Sequence, residues 1–171
     1  MPDTVTNNHR MKTIYLAGGC FWGTEHYMSQ FDGVVETVVG YANGNVADPA
    51  YEEVYTDKTG HVECVKVIYD DEMISLATLC RLFFRSIDPL LLNRQGGDIG
   101  TRYRTGIYWN DTDDQAVVEV RRHVAKSERG PEQLLDINLR LQVRLGQESL
   151  VSLTRRAVLS TVTDVVPLLR K

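Results

Sequence analysis

The sequence predicts an α+β fold, a two-layer sandwich with helices on a mixed sheet. Three observations carry that expectation. Strand-like and helix-like segments interleave, which fits neither an all-α nor an all-β core. Several strand-like segments are separated only by turns, which favours hairpin pairing over a purely parallel sheet. Hydrophobic residues make up 43% of the 171 residues and charged residues 25%. Those are ordinary proportions for one domain with its own core.

The elements follow in order. Ile14-Tyr15-Leu16-Ala17 is short and apolar, so residues 13–17 read as a buried strand. Gly18 and Gly19 end it, and a helix over residues 20–30 follows with Cys20 at its start. Residues 34–41 are rich in β-branched side chains and read as a strand. Asn43-Gly44-Asn45 and Asp57 to Gly60 are turn signals, with a short helical turn from Tyr51 to Tyr55 between them. His61 to Tyr69 forms a further strand. Ser75 caps a helix to about Ile87, whose Leu76, Leu79, Phe83 and Ile87 make a core-facing stripe. Cys80 lies within that helix and reads as structural. Residues 88–104 form a long loop, a length that is more often functional than idle. Thr105 to Trp109 is a short strand. Thr112 and Gln115 have the spacing of a capping box, opening a helix to about Glu128 that stops near Gly130-Pro131. Between Leu135 and Leu145 apolar and polar residues alternate, as in an amphipathic strand.

Bulk properties exclude several classes of function. The net charge is −4 with no basic block, which disfavours nucleic acid as a partner. No run is long and apolar enough to span a bilayer, so no membrane partner is expected. Met1 to Arg10 is polar and lacks the apolar centre of a signal peptide. It reads as a disordered leader, with residues 11–171 a single catalytic domain. Three cysteines without close pairing argue against a disulfide framework and for a reducing compartment, the cytoplasm. No Cys/His group has zinc-site spacing, so no metal is expected.

The chemistry concentrates around Cys20. A cysteine between a strand end and a helix start sits among backbone N–H groups that lack intrahelical partners. Those groups and the helix dipole favour the thiolate, the nucleophilic form. Gly18 and Gly19 permit close backbone approach, and Phe21-Trp22 add an apolar aromatic wall. A cysteine serving only as a small buried hydrophobe, the plainer reading, needs neither.

An acid supplies the second group. Alternate residues of a strand share a face, so Glu63 lies with Val65, Val67 and Tyr69. A carboxyl on that apolar face is desolvated, which favours its protonated form and suits a general acid. The plainer reading is a strand-end glutamate satisfied by backbone or by a lysine. Cys64 points the other way. His61 shares the Glu63 face and is either a base or, more simply, a solvated turn residue. Tyr51 and Tyr103 lie in or beside loops, where their O–H groups can donate to an oxygen. Asp98 stands in the glycine-rich part of the long loop.

Gly19-Cys20-Phe21-Trp22, Gly40-Tyr41, Pro49-Ala50-Tyr51-Glu52-Glu53-Val54, Thr59-Gly60-His61-Val62-Glu63, Ile87-Asp88-Pro89 and the run from Gln95 to Arg104 stand in order and nearly without gaps. Together they resemble peptide methionine sulfoxide reductase A, from about Thr13 to about Lys126. The resemblance implies a two-layer α+β sandwich around a ferredoxin-like core. It implies that Cys20 attacks the sulfoxide sulfur while Glu63 protonates the oxygen, helped by Tyr51 and Tyr103. Phe21 and Trp22 would hold the methyl group, and Asp98 would help position the substrate. The substrate would be methionine S-sulfoxide, free or in proteins, with no metal and no cofactor. Cys20 would become a sulfenic acid. Family members usually continue with a Phe-Tyr-x-Ala-Glu-x-x-His-Gln type of stretch, a glycine-rich tail and often recycling cysteines. This chain shows none of these after about Gly130, so residues 131–171 are an atypical C-terminal segment. An external thiol (thioredoxin, glutaredoxin or a small thiol) would then have to reduce Cys20.

Two other functions compete. One is a cysteine hydrolase built on Cys20, His61 and Asp98. The other is a catalytically impaired reductase fold kept as an interaction protein, which the atypical tail would explain.

Overall fold

The computed structural model describes residues 10–46, 49–127 and 151–152. Strand β1 (Met11–Ala17) leads into helix α1 (Phe21–Met28), and β2 (Val34–Ala42) follows. The short helix α2 (Tyr51–Tyr55) precedes β3 (Val62–Asp70), which runs on to α3 (Leu76–Ser86). A small hairpin of β4 (Arg94–Gln95) and β5 (Asp98–Ile99) comes next, then a single 3-10 turn at Thr101–Tyr103. β6 (Gly106–Tyr108), α4 (Thr112–Ser127) and β7 (Val151–Ser152) complete the described elements.

The main sheet has the order β6-β1-β3-β2-β7. The α+β class is as expected, and the sheet, expected as mixed, is antiparallel at each pairing among the described residues. The connectivity explains this. Each helical crossover returns the chain in its starting direction, so β1 and β2 run the same way, as do β3 and β6. A strand of opposite direction lies between the members of each pair: β3 in the first, β1 in the second. That is the arrangement of a ferredoxin-like core.

One face of the sheet carries the main core. Ile14 and Leu16 of β1 and Val65, Val67 and Tyr69 of β3 cluster with Phe21 and Met28 of α1, Leu79 and Phe83 of α3, and Val118 of α4. Burying each such aliphatic side chain contributes about 1.5–3 kcal/mol. The alternate residues Tyr15, Ala17, Val62, Cys64 and Tyr108 form a second buried cluster on the opposite face. The period-2 alternation therefore separates Glu63 from Cys64, as the sequence predicts.

Capping follows local chemistry. The Thr78 N–H donates to Ser75 Oγ at 3.2 Å, as expected for the start of α3. At α4 the expectation needs correction. Thr112 is already the first helical residue, and Asp111 does the capping, its Oδ1 accepting from the Asp113 N–H at 3.0 Å. Gln115 instead donates to Glu119 Oε1 at 3.0 Å. An aspartate one residue upstream is at least as good a cap as a threonine. The expected loop 88–104 contains the β4–β5 hairpin and the 3-10 turn, elements too short for periodicity to reveal. Most of the expected leader and the alternating stretch 135–145 lie outside the described residues. Among the described residues no helix is long and apolar enough to cross a membrane.

Candidate active site

Cys20 is the N-cap residue of α1, with φ −57° and ψ 121°, and its side chain is half-buried. The first free N–H of that helix does not turn to the cysteine. Phe21 N–H donates to Glu63 Oε2 at 3.0 Å. The acid of β3 thus docks on the helix terminus that Cys20 begins, and one helix end serves both groups. Glu63 is 7% exposed. Burial pushes its carboxyl up to about 7 from an ordinary 4.5. The Phe21 N–H opposes that rise, Asp98 adds to it, and the Arg102 charge opposes it.

The Cys20 thiol differs from expectation. Its pKa is raised, chiefly by burial, while the N–H groups of Trp22 and Gly23 pull it down and the charges of Glu63 and Asp98 push it up. The helix end does favour the thiolate, but desolvation and two carboxylates outweigh it. When Glu63 takes up a proton, one of those carboxylates disappears. The two groups therefore titrate as a pair.

An aromatic surface lies alongside. The buried Phe21 ring meets Trp22 edge-on at 5.4 Å and tilts against Tyr41 at 5.8 Å. Trp22 remains 39% exposed, as the outer part of that wall. Tyr41 stands opposite Glu63 in the β2–β3 register.

The long loop is held against this centre. Gly19 has φ +86°, and a Cβ there would lie 2.5 Å from Gln95 Cβ, so only glycine lets the hairpin approach. Gln95 Oε1 accepts from Asp88 N–H at 2.9 Å, and its Nε2 donates to Asp88 O at 2.7 Å and Thr105 Oγ1 at 3.0 Å. Asp98 pairs with Gln95 across the hairpin and is itself exposed. Tyr51 opens α2 and Tyr103 ends the 3-10 turn. Burial first, and the nearby Glu63 charge as well, raise both phenols. Both remain O–H donors at neutral pH.

Cys20, Glu63, Phe21, Trp22, Tyr51, Asp98 and Tyr103 are thus gathered round one helix end. His61 is not where the simplest reading put it. It is 3% exposed, its ring faces Tyr41 at 6.5 Å, and among the described residues its buried Nδ1 has no partner. Burial, and then the Arg104 charge, lower its pKa and keep it neutral. Cys64 and Cys80 are fully buried, and burial pushes Cys80 up to about 12. Sequence reasoning missed Tyr41, Gln95 and Arg102. Tyr41 had one available signal, its odd-even position in a strand, but its partner strand was unknown. Among the described residues no group of three His, Cys, Asp or Glu side chains is placed to hold a metal ion.

The chain is similar to known proteins over most of its described residues. The family model for peptide methionine sulfoxide reductase matches residues 12–137. A peptide methionine sulfoxide reductase MsrA of Alkaliphilus metalliredigens is 57% identical over 104 residues, covering 61% of this chain and 66% of its own. One of Clostridium botulinum strain Hall is 55% identical over 108 residues, covering 63% and 69%. Among solved structures, reduced Mxr1 of Saccharomyces cerevisiae superposes with TM-score 0.69 at 33% identity, covering 82% of this chain and 80% of that one. Methionine sulfoxide reductase A of Corynebacterium diphtheriae gives 0.67 at 32%, covering 81% and 66%. The chain thus spans about two thirds of the length of the curated relatives it matches.

Proposed function

The chain belongs to the peptide methionine sulfoxide reductase family, and we propose that it reduces methionine S-sulfoxide, free or in proteins, to methionine. The observation that carries this reading is the Glu63 carboxyl, buried, poised at about 7 and docked at 3.0 Å on the N–H of Phe21, the residue that follows Cys20. A neutral acid beside a nucleophilic sulfur is what a sulfoxide requires. Its sulfur is electrophilic and its oxygen leaves only once protonated.

The reactive state holds one proton between the pair, on Glu63 and off Cys20. Cys20 Sγ attacks the sulfoxide sulfur while Glu63 gives its proton to the oxygen. The oxygen passes to Cys20 as hydroxyl. Methionine sulfur gains two electrons, Cys20 loses two and becomes a sulfenic acid, and Glu63 is left a carboxylate. Tyr51 and Tyr103 donate hydrogen bonds to the oxygen. Phe21 and Trp22 pack the methyl group, and Asp98 helps to place the substrate.

A thiol then attacks Cys20, releases water and leaves a mixed disulfide, which a second thiol resolves. Cys64 and Cys80 are sealed in the core, so that thiol comes from outside: thioredoxin, glutaredoxin or a small thiol. A reducing compartment, the cytoplasm, suits three unpaired cysteines.

The hydrolase reading needs an imidazole on the Cys20 sulfur. His61 instead faces Tyr41 from inside the fold. A thiol-coupled assay on methionine S-sulfoxide decides, with Cys20→Ser as the blank. Turnover by the native chain, none by Cys20→Ser and most of it retained by His61→Ala is the expected result. Equal signals from native and Cys20→Ser proteins would defeat the reading and leave a non-enzymatic interaction protein.

A further inference from the structure

Arg102 is a charged side chain that neither the sequence reading nor the reaction above uses. It lies in the 3-10 turn and is only 9% exposed. Its Nη1 donates to Asp57 Oδ2 at 3.0 Å and to Tyr55 O at 3.1 Å, and its backbone N–H donates to Asp57 Oδ1 at 3.1 Å. The guanidinium carbon stands 4.1 Å from the Tyr55 ring centre and 4.7 Å from that of Tyr103. A planar cation lies against two rings, one from helix α2 and one from the 3-10 turn. Among the described residues its buried Nε has no partner.

The backbone around it is shaped for this contact. Asp57 adopts φ +60°, a left-handed conformation that aspartate tolerates better than most residues. Gly100 adopts φ +143°, and a Cβ there would lie 2.9 Å from Asp57 Oδ2 and 3.1 Å from Arg102 Nη1. Two unusual backbone positions thus converge on one ion pair that joins segments 45 residues apart.

We propose that Arg102 is a positioning residue of this active site: pinned by Asp57, it clamps helix α2, which carries Tyr51, to the turn that carries Tyr103, and supplies the buried positive charge that balances Asp98 at Glu63. The proposal rests on the reductase reading of the same site. The groups facing Glu63 are Cys20 and the Phe21 N–H at the start of α1, Tyr41 of β2, Tyr51 of α2, Asp98 of β5, and Arg102 and Tyr103 of the turn. Asp98 and Arg102 act on the carboxyl with opposite sign. Without the cation the acid holds its proton to higher pH, and without the planar stack the tyrosines lose their register on the sulfoxide oxygen.

The test uses Arg102→Gln and Arg102→Lys. One readout is the pH titration of the Glu63 carboxyl, followed by carbon NMR with side-chain-labelled glutamate and needing no turnover. The other is the pH profile of kcat and kcat/KM on methionine S-sulfoxide. Arg102→Gln is expected to move the Glu63 midpoint and the acid limb upward together and to lower kcat about tenfold, with little change in KM. Arg102→Lys restores the midpoint while kcat stays low, because an ammonium keeps the charge and loses the stack. An unmoved midpoint in Arg102→Gln overturns the electrostatic part, and full kcat in Arg102→Lys overturns the clamp. If Arg102→Gln does not fold, the lysine variant decides by its kcat. A native chain without turnover defeats the reductase reading, and the carboxyl titration then decides on Arg102 by itself.

Discussion

Two buried acids packed at opposite ends of strand β3, Glu63 and Asp114, are treated in opposite ways. Glu63, near its start, is 7% exposed, and Asp114 of α4, packed near its far end, is 3% exposed. Burial raises both pKa values. Lys12 Nζ lies 3.7 Å from Asp114 Oδ1 and also 3.7 Å from Asp71, so that end is a paired network. Glu63 makes no ion pair among the described residues. It has one N–H, and a cation whose own contact is with Asp57. Pairing stabilises a buried carboxylate and takes its proton out of use. At the reactive end the direct pair is withheld, which leaves a carboxyl titrating near neutrality, where a proton donor works best.

That contrast can be broken by matched amides. Glu63→Gln is expected to lower kcat about 10²- to 10⁴-fold, because the amide still donates a hydrogen bond but delivers no proton. Asp114→Asn should leave kcat/KM and its pH profile unchanged. Equal losses in the two variants would erase the distinction between the ends.

The next effect is on pH dependence. The reactive state holds one proton between Glu63 and Cys20, so kcat/KM should rise as pH passes about 7, where the pair gives up its first proton, and fall again where it gives up its second. Stability follows the same group. Its folded pKa of about 7 lies above the ordinary 4.5, so the folded chain holds the proton more tightly. Its contribution is complete below about 4.5 and is lost as pH rises through about 7, by up to ~3 kcal/mol. Urea unfolding at pH 5 and pH 8 measures this. The native chain should weaken at pH 8 relative to Glu63→Gln, and a constant difference between the two would contradict the shift.

Smaller effects sharpen the comparison. Trp22→Ala removes part of the proposed methyl-binding wall without opening the core, and should raise KM with a loss of about 1–3 kcal/mol in substrate discrimination. An unchanged KM would remove Trp22 from the site. Cys64→Ala and Cys80→Ala should each cost about 1 kcal/mol of stability and leave kcat unchanged. Mass spectrometry after one turnover should find sulfenic acid or a mixed disulfide at Cys20, and an intramolecular disulfide would show that a buried cysteine reaches it.

Much of the frame was legible because it is local. Runs of β-branched residues marked β2 and β3, and the period-2 rule placed Glu63 with Val65, Val67 and Tyr69 and sent Cys64 to the opposite cluster. Ser75 and the stripe Leu76, Leu79, Phe83 marked α3, and the helix start marked Cys20. The cap of α4 was misplaced by one residue, because Asp111 and Thr112 are both competent caps and sequence alone does not rank them decisively.

The sequence by itself determined which face each candidate residue takes, since side-chain direction in a strand or helix depends only on near neighbours in the chain. Tertiary structure alone decided the protonation of those residues and the company they keep. Glu63 meets Phe21 N–H across 42 residues, and Arg102 meets Asp57 across 45. Electrostatic energy depends on distance in space and on exclusion of water, neither of which is written in spacing along the chain. That is why the Cys20 thiol rises where its helix position alone argues that it should fall, and why His61 is buried where a strand start suggested solvent.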